Sequence, residues 1–322
     1  MRLALLALLL LMGTAQAQNF PTRPITIIAA GAAGGPTDTI TRIVADAMTR
    51  SMAQAWGGQS VVVESIGGAT VGPQRGAQAR PDGYTLLINN IGFAASATLY
   101  RKLPYSVLES FAPLGLVSDA AMTLIAKPGF PATDLRGYVA ALREGGDRLN
   151  LAHAGLGSAA HLCGMLLQQA AGAQATTIAF RGTAPAIAEM MAGRIDIMCD
   201  QATNTLPFIR DNRVAAYGVS SPARVAGLEQ LPTTAEGGFP GIAMSTWHAM
   251  YAPAGTPEAV QEALSAALRE ALKDEKLRQR FADLATEPAT GERATIAFHR
   301  GFLAEEVERW RPVIQAAGAF AD

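Results

Sequence analysis

Gly34-Gly35-Pro36-Thr37-Asp38 follows an apolar run and precedes an amphipathic one. The same design returns at Gly155-Leu156-Gly157-Ser158, at Arg181-Gly182-Thr183 and at Asn89-Asn90-Ile91-Gly92. A helix starting on such a loop leaves its first backbone N–H groups unpaired and carries the positive end of its dipole, so it can hold a carboxylate without a formal cation. One helix start contributes only about 0.3–1 kcal/mol at a surface. A single loop is therefore a weak anion site or simply a tight turn, whereas several converging loops make a site. The first loop is not a nucleotide loop, because no lysine lies between Arg23 and Arg42 and Gly31, Gly34 and Gly35 lack the dinucleotide spacing. Asp38 would oppose an anion if it pointed inward; as a first-turn residue it is expected to cap its own helix. Ser158 is a natural N-cap, with His161 one turn into the helix, and Thr183 is expected to cap the helix after Arg181-Gly182. Ser158 and His161 could also meet as a nucleophile and base with Asp200 as a distant orienting acid, which keeps a secreted hydrolase as an alternative. The serine does not stand where a G-x-S-x-G elbow needs it. The four histidines, His153, His161, His248 and His299, form no H-E-x-x-H, and there is no C-x-x-C.

The elements that must position these loops alternate. Strands are expected at Ile25 to Ala29, Ser60 to Glu64 and Tyr84 to Ile88, with helices at Thr39 to Met52 and Val71 to Ala79 between them. Ile40, Ile43, Val44, Ala47 and Met48 share one face of the first helix. The rhythm repeats with strands at Leu149 to Ala152, Thr176 to Phe180 and Ile195 to Cys199, and helices at Ser158 to Ala171 and Thr183 to Ala192. This predicts two α/β units with largely parallel sheets, whose ligands sit beyond the carboxyl ends of the strands. Phe111 to Lys127 and Met244 to Pro253 are the expected crossings between the units, and the charged C-terminal part is a solvated helix pair covering a sheet.

The 322 residues suit two domains. With 16% charged residues and a net charge of −1, the chain lacks the clustered cations of a nucleic-acid surface. Met1-Arg2, the apolar run Leu3 to Met12 and Ala15-Gln16-Ala17 make a secretory signal peptide over residues 1–17, cut after Ala17. The run is far short of the roughly 20 residues that span a bilayer, so an exported, soluble periplasmic protein is expected. Cys163 and Cys199 are either a disulfide, permitted in that compartment, or two buried small hydrophobes.

Several blocks occur in order along the mature chain: "PTRPITII", "AGGPTDTITRIVADAM", "PDGYTLL", "LYRKLPYSVLESFAPLGLV", "GLGSAAHL", "FRGTAPAIAEMMAGRIDIMCDQ", "PTTAEGGFPG" and "APAGTP". Together they resemble the tripartite tricarboxylate transporter substrate-binding proteins, the Bug-type extracytoplasmic receptors. The resemblance implies an α/β, two-domain, periplasmic-binding-protein-like (flytrap, type II) fold with two crossover connections. Lobe 1 would comprise residues 18–122 plus 247–322, and lobe 2 residues 123–246. It implies a monomer without cofactor or catalytic residues that binds a small carboxylate and delivers it to a membrane permease, or, as an alternative, reports it to a signalling partner. Ligand contacts are carried over to Gly34, Gly35, Pro36, Thr37 and Asp38, to Asn90 and Ile91, and to Gly157 and Ser158, with His161, Arg181, Asp200 and Gln201 in the remaining cleft-facing blocks. The chain departs from the family at Ala30-Gly31, where an aromatic is common, and at "ESIGGAT", which lacks an arginine after Glu64. Both departures remove bulk or charge, so a roomier, less polar pocket suited to an aromatic or branched acid is expected.

Overall fold

The computed structural model describes residues 20–321; the signal peptide inferred over residues 1–17 lies outside them. The first unit opens with β1 (Ile25–Ala29), α1 (Pro36–Ser51), β2 (Val61–Ser65), α2 (Val71–Ala77), β3 (Thr85–Asn90) and α3 (Gly92–Leu99). The chain then enters β4 (Phe111–Ala126) and passes through α4 (Leu135–Gly145), β5 (Asn150–His153), α5 (Ala159–Ala171), β6 (Thr176–Ala179), α6 (Thr183–Met191), β7 (Ile197–Gln201), α7 (Ala202–Arg210) and β8 (Ala215–Val219). It returns along β9 (Ser245–Pro253) and ends in α8 (Glu258–Ala271), α9 (Glu275–Ala282), β10 (Thr286–Pro288) and α10 (Ile296–Ala317).

The strand order is β2-β1-β3-β9-β4-β7-β5-β6, with β8 and β10 also on β4. β1 lies parallel to β2 and β3, and β5 parallel to β6 and β7, as the alternating pattern predicts. The crossing strands break that rule: β9 is antiparallel to β3 and β4, and β4 is antiparallel to β7. A chain that leaves one unit and comes back must run through the shared sheet once in each direction. β4 pairs with β9 over Phe111–Ala121 and then with β7 over Met122–Ala126 and with β8 over Thr123–Ala126. A single strand thus belongs to both lobes of this α/β flytrap fold.

Burial follows the sequence pattern. Ile25, Ile27, Ile28 and Ala29 of β1 are fully buried, as expected for a strand covered on both faces. The predicted face of α1, Ile40 to Met48, packs into the same core. The expected C-terminal helix pair forms α8 and α9, and Asp274 caps α9 by accepting from the Leu277 N–H at 2.8 Å.

The crossing strand β4 slips register twice against β9, near Gly115 and near Ser118, and a buried histidine meets each slip. The Gly115 N–H donates to His299 Nδ1 at 3.1 Å, and the Ser118 hydroxyl lies 3.2 Å from His248 Nδ1. Gly115 has φ +149, and a Cβ there would lie 2.5 Å from the Ala294 carbonyl oxygen, so the bulge requires glycine. Burial pushes both histidines down to about 3, so both are neutral rings at ordinary pH.

Candidate functional site

Between the carboxyl ends of the strands of the two lobes lies a cleft of about 530 Å³. Its floor and walls come from the predicted loops, but in the loops before α1 and α5 the free hydrogen-bond donors are not the glycines. In the first loop the Gly34 N–H donates to Asp38 Oδ2 at 2.8 Å and the Gly35 N–H to the Ala32 carbonyl at 3.0 Å. Gly35 occupies the N-cap of α1 without a side-chain cap, and Pro36 has no N–H. The orphan donors of this helix start are therefore the Thr37 and Asp38 N–H groups. The Asp38 side chain is turned away from the cleft, where Ser65 and Arg42 also bind it. Burial pushes its carboxyl up, but the hydrogen bonds from Ser65, Arg42 and Gly34 outweigh burial and hold it below the ordinary value. Asp38 thus fixes the loop's shape.

Asn90 stitches the third strand's loop to the first. Its Nδ2 donates to Thr37 Oγ1 at 3.2 Å, and its Oδ1 accepts from the Gly92 N–H at 3.0 Å. Ile91, which the family pattern placed at the site, is fully buried and does not line the cleft; its N–H donates to the Trp247 carbonyl. The turn aims its side chain into the core, while its neighbours Asn90 and Gly92 face the cavity.

The second lobe repeats the device. The Gly155 N–H donates to His153 Nδ1 and the Gly157 N–H to His161 Nδ1, each at 3.2 Å. The Ser158 N–H is taken by the Gly155 carbonyl, and Ser158 Oγ accepts from the His161 N–H at 3.2 Å as the N-cap. The Ala159 and Ala160 N–H groups of α5 are left as orphan donors on the cleft wall. The Ser158 hydroxyl proton is free to point into the same space. His161 stands behind the loop rather than in the cleft. Burial, then the neighbouring His153, push its ring down to about 4. With Nδ1 accepting from Gly157, it offers Ser158 no basic nitrogen, so the geometry does not assemble the serine–histidine pair of the hydrolase reading.

Two further loops complete the wall. Gly182, not Thr183, is the N-cap of α6, with φ +123. A threonine side chain cannot take that backbone easily, so the cap falls on the glycine and Thr183 becomes the first helical residue. Arg181 is exposed, lines the cleft and has no hydrogen-bond or ion-pair partner among the described residues. Asp200, at the end of β7, is 3% exposed and also lines the cleft. Its Oδ1 accepts from the Gln201 N–H at 2.7 Å, whereas Oδ2 is buried without a hydrogen bond. Burial pushes this carboxyl up to about 6, with the Thr183 hydroxyl beside it and the Gln201 N–H pulling the other way. Gln201 lines the cleft and donates through Nε2 to Thr203 Oγ1 at 2.7 Å.

Cys163 of α5 and Cys199 of β7 form a disulfide, with Cα atoms 5.9 Å apart. It ties the helix capped by Ser158 to the strand that carries Asp200. Among the described residues no cluster of three or more histidine, cysteine or carboxylate side chains could hold a metal ion.

Cleft residues that the sequence reading did not assign include Ala159 and Ala160 at the start of α5, Gly67, Gly68, Ala69, Phe180 and Tyr100. Gly67-Gly68 repeats the strand–glycine–helix pattern and was detectable on that ground. Tyr100 follows α3 in lobe 1, and its hydroxyl donates to the Leu156 carbonyl of lobe 2 at 3.4 Å. No local spacing signals a contact made only when two distant lobes meet. The same closure brings a Cβ built on Gly92 to 2.3 Å from the Gly157 oxygen, and one built on Gly182 to 3.1 Å from Ala32 Cβ.

Residues 40–319 match the model of the tripartite tricarboxylate transporter family receptor. The chain belongs to this receptor family. Among relatives, the receptor is 40% identical over 317 residues to a protein encoded in the TAR-I ttuE-ttuC' intergenic region of Agrobacterium vitis, covering 98% of this chain and 90% of that one. Among solved structures it is similar to the periplasmic binding protein BugD, with TM-score 0.88 and 38% identity over 94% of this chain and all of that one. It is also similar to MatC from Rhodopseudomonas palustris with bound malate, with TM-score 0.85 and 33% identity over 92% and 100% of the two chains. A protein of R. palustris with adipate has the same TM-score at 25% identity, over 93% and 98% of the chains. Family and fold are those of substrate-binding receptors rather than enzymes.

Proposed function

We propose that this receptor captures a small organic carboxylate in the interlobe cleft and delivers it, in the periplasm and as a monomer, to a permease of the tripartite tricarboxylate type. The observation that carries this reading is that uncapped first-turn N–H groups of α1 and of α5, from opposite lobes, face one cavity. Such donors suit a carboxylate, and because each lobe supplies half of them, the ligand is held fully only when the lobes close. The structures with malate and with adipate support a carboxylate as the ligand class. In this reading lobe 1 comprises residues 18–122 and 247–322, and lobe 2 residues 123–246.

The walls narrow the choice. Ala30, Ala32, Ala69, Ala154, Leu156 and Phe180 present apolar surface, and Gly31 puts no side chain into the space beside them. An aromatic or branched acid, or a short dicarboxylate whose second carboxylate meets Arg181, fits better than citrate. A thermal-shift panel of mono-, di- and tricarboxylates followed by calorimetry tests this, since a ligand stabilises by mass action. Stabilisation by aromatic or short dicarboxylic acids is expected; tight binding of citrate with none of the aromatic acids would overturn the wall argument. No response to any carboxylate would overturn the function.

A further inference from the structure

One pair of residues joins the two lobes across the cleft, and a segment distant in sequence holds that pair in place. Leu99 and Tyr100, where α3 ends in lobe 1, meet the Leu156-Gly157 loop of lobe 2. The Tyr100 hydroxyl reaches the Leu156 carbonyl, and Leu99 Cδ2 packs so closely that a Cβ built on Gly157 would lie 2.8 Å from it. The last carbonyls of a helix such as α3 have no partner within it. Here the Leu99 carbonyl accepts from the Ala321 N–H at 2.8 Å, and the Arg101 N–H donates to the Ala321 carbonyl at 2.9 Å. Ala321 thus brackets Tyr100 from both sides, as a parallel bridge of a single residue. The chain arrives there because α10 lies against α3 and because Gly318, at φ +61, turns the backbone out of α10 in a left-handed cap. Phe320, 40% exposed, sets its ring centre 5.4 Å from the Arg101 guanidinium. Residues 319–321 themselves contribute nothing to the cleft lining.

We infer that residues 319–321 form a strap that positions Tyr100 for closure, so that a segment outside the cleft sets how firmly the acid is held. This rests on the carboxylate reading above and adds to it a positioning element that touches no ligand. A side chain that grips across a cleft needs a fixed backbone behind it, and Tyr100 stands at a helix end, where fraying is easiest. The two hydrogen bonds of Ala321 suppress that fraying on either side of Tyr100. Freeing the strap therefore loosens the grip on lobe 2 and leaves the cores of both lobes intact. The loss falls on the closed form, and so on the rate at which the acid leaves.

Ala321→Pro tests this, because proline lacks the N–H that the Leu99 carbonyl accepts. Gly318→Val is a second route: a β-branched residue resists the left-handed turn, and with open space around Gly318 its side chain clashes with nothing. Both variants and the wild-type protein are titrated calorimetrically with malate, adipate and benzoate, and melted without ligand. Affinity is expected to fall by about threefold to tenfold in each variant, the range for one net hydrogen bond, with melting points close to wild type. The same substitutions are then made on Tyr100→Ala. There the strap has no side chain left to present, so a further loss of less than about twofold is expected. An equal loss in both backgrounds means that the strap acts independently of Tyr100, and the inference falls while the carboxylate reading stands. It falls in the same way if both folded variants bind like wild type, or if only one weakens, since the loss then belongs to that substitution. Should Ala321→Pro fail to fold, Gly318→Val and its cycle with Tyr100→Ala decide alone. If the wild-type protein binds none of the three acids, the carboxylate reading falls and takes this inference with it.

Discussion

Gly92→Ala separates closure from folding. Gly92 begins α3 with an ordinary negative φ, so alanine is compatible with the backbone of the isolated lobe and, by helix propensity, favours it by about 0.5–1 kcal/mol. Within its own lobe the new methyl meets Asn90 Oδ1 at 3.1 Å, a contact that a small shift relieves. Across the cleft it lies 2.3 Å from the Gly157 oxygen, about 1 Å too close for carbon and oxygen. The lobes must then part locally, and Tyr100 loses its reach to Leu156. Overpacking of this kind costs about 1–3 kcal/mol, all of it in the closed form, so affinity should fall by roughly fivefold to a hundred-and-fiftyfold. Calorimetric titration with the best acid from the panel gives the affinity, and thermal melting without ligand gives the stability. Gly301→Ala, mid-helix in α10 with open space around it, is the control: slightly more stable, with unchanged affinity. If Gly92→Ala binds as tightly as wild type, the lobes do not approach at Gly157 in the bound state. If its unliganded melting point drops, the clash is not confined to closure.

Further outcomes are expected. Ser158→Ala should cost about 0.5–2 kcal/mol of stability as a lost cap and weaken binding severalfold while the protein stays folded; unchanged affinity would place the hydroxyl outside the contact. Reducing the disulfide between Cys163 and Cys199, or replacing both cysteines by alanine, should lower stability by roughly 3–4 kcal/mol on the chain-entropy account for a separation of 36 residues, read as a shifted denaturant midpoint. A midpoint that does not move would refute it. Acid should destabilise the protein early. His161, His248 and His299 stay neutral in the fold, at about 4, 3 and 3, so the unfolded chain takes up their protons first as pH drops below 6.5. Asp200, raised to about 6, works in the opposite direction, since the fold binds its proton more tightly. Three histidines outweigh one carboxyl, so unfolding free energy from denaturant titrations should fall by on the order of 3 kcal/mol between about pH 6.5 and about pH 5; a flat or rising profile would refute this balance.

What the sequence revealed and what it hid divide along physical lines. Periodicity placed β1, the apolar face of α1 and both crossing strands, because burial of whole elements leaves a pattern in residue type. Ser158 was legible as a cap because its side chain bonds locally. The identity of the free donors was not: whether the N–H groups of Gly34 and Gly157 point into the cleft depends on where Asp38 and His161 turn their side chains. Glycine type suggests exposed backbone, yet here those N–H groups are consumed behind the loops and the donors left over belong to the next residues along. Propensity favours Thr183 as the cap but cannot foresee that the loop needs a positive φ at Gly182. Tyr100 and the Asp200 oxygen without a partner became visible only with both lobes in place.

On the proposed reading the donors that grip the acid lie on the main chain, and this has an evolutionary consequence. A side-chain anchor can be erased by one codon change, but the N–H groups of Thr37, Ala159 and Ala160 survive almost any substitution at those positions. The general affinity for an acid is thus insulated from mutation, while Gly31, Phe180, Arg181 and Asp200 are free to drift toward new molecular shapes. A lineage built this way can duplicate and change its diet repeatedly without first passing through a form that binds nothing.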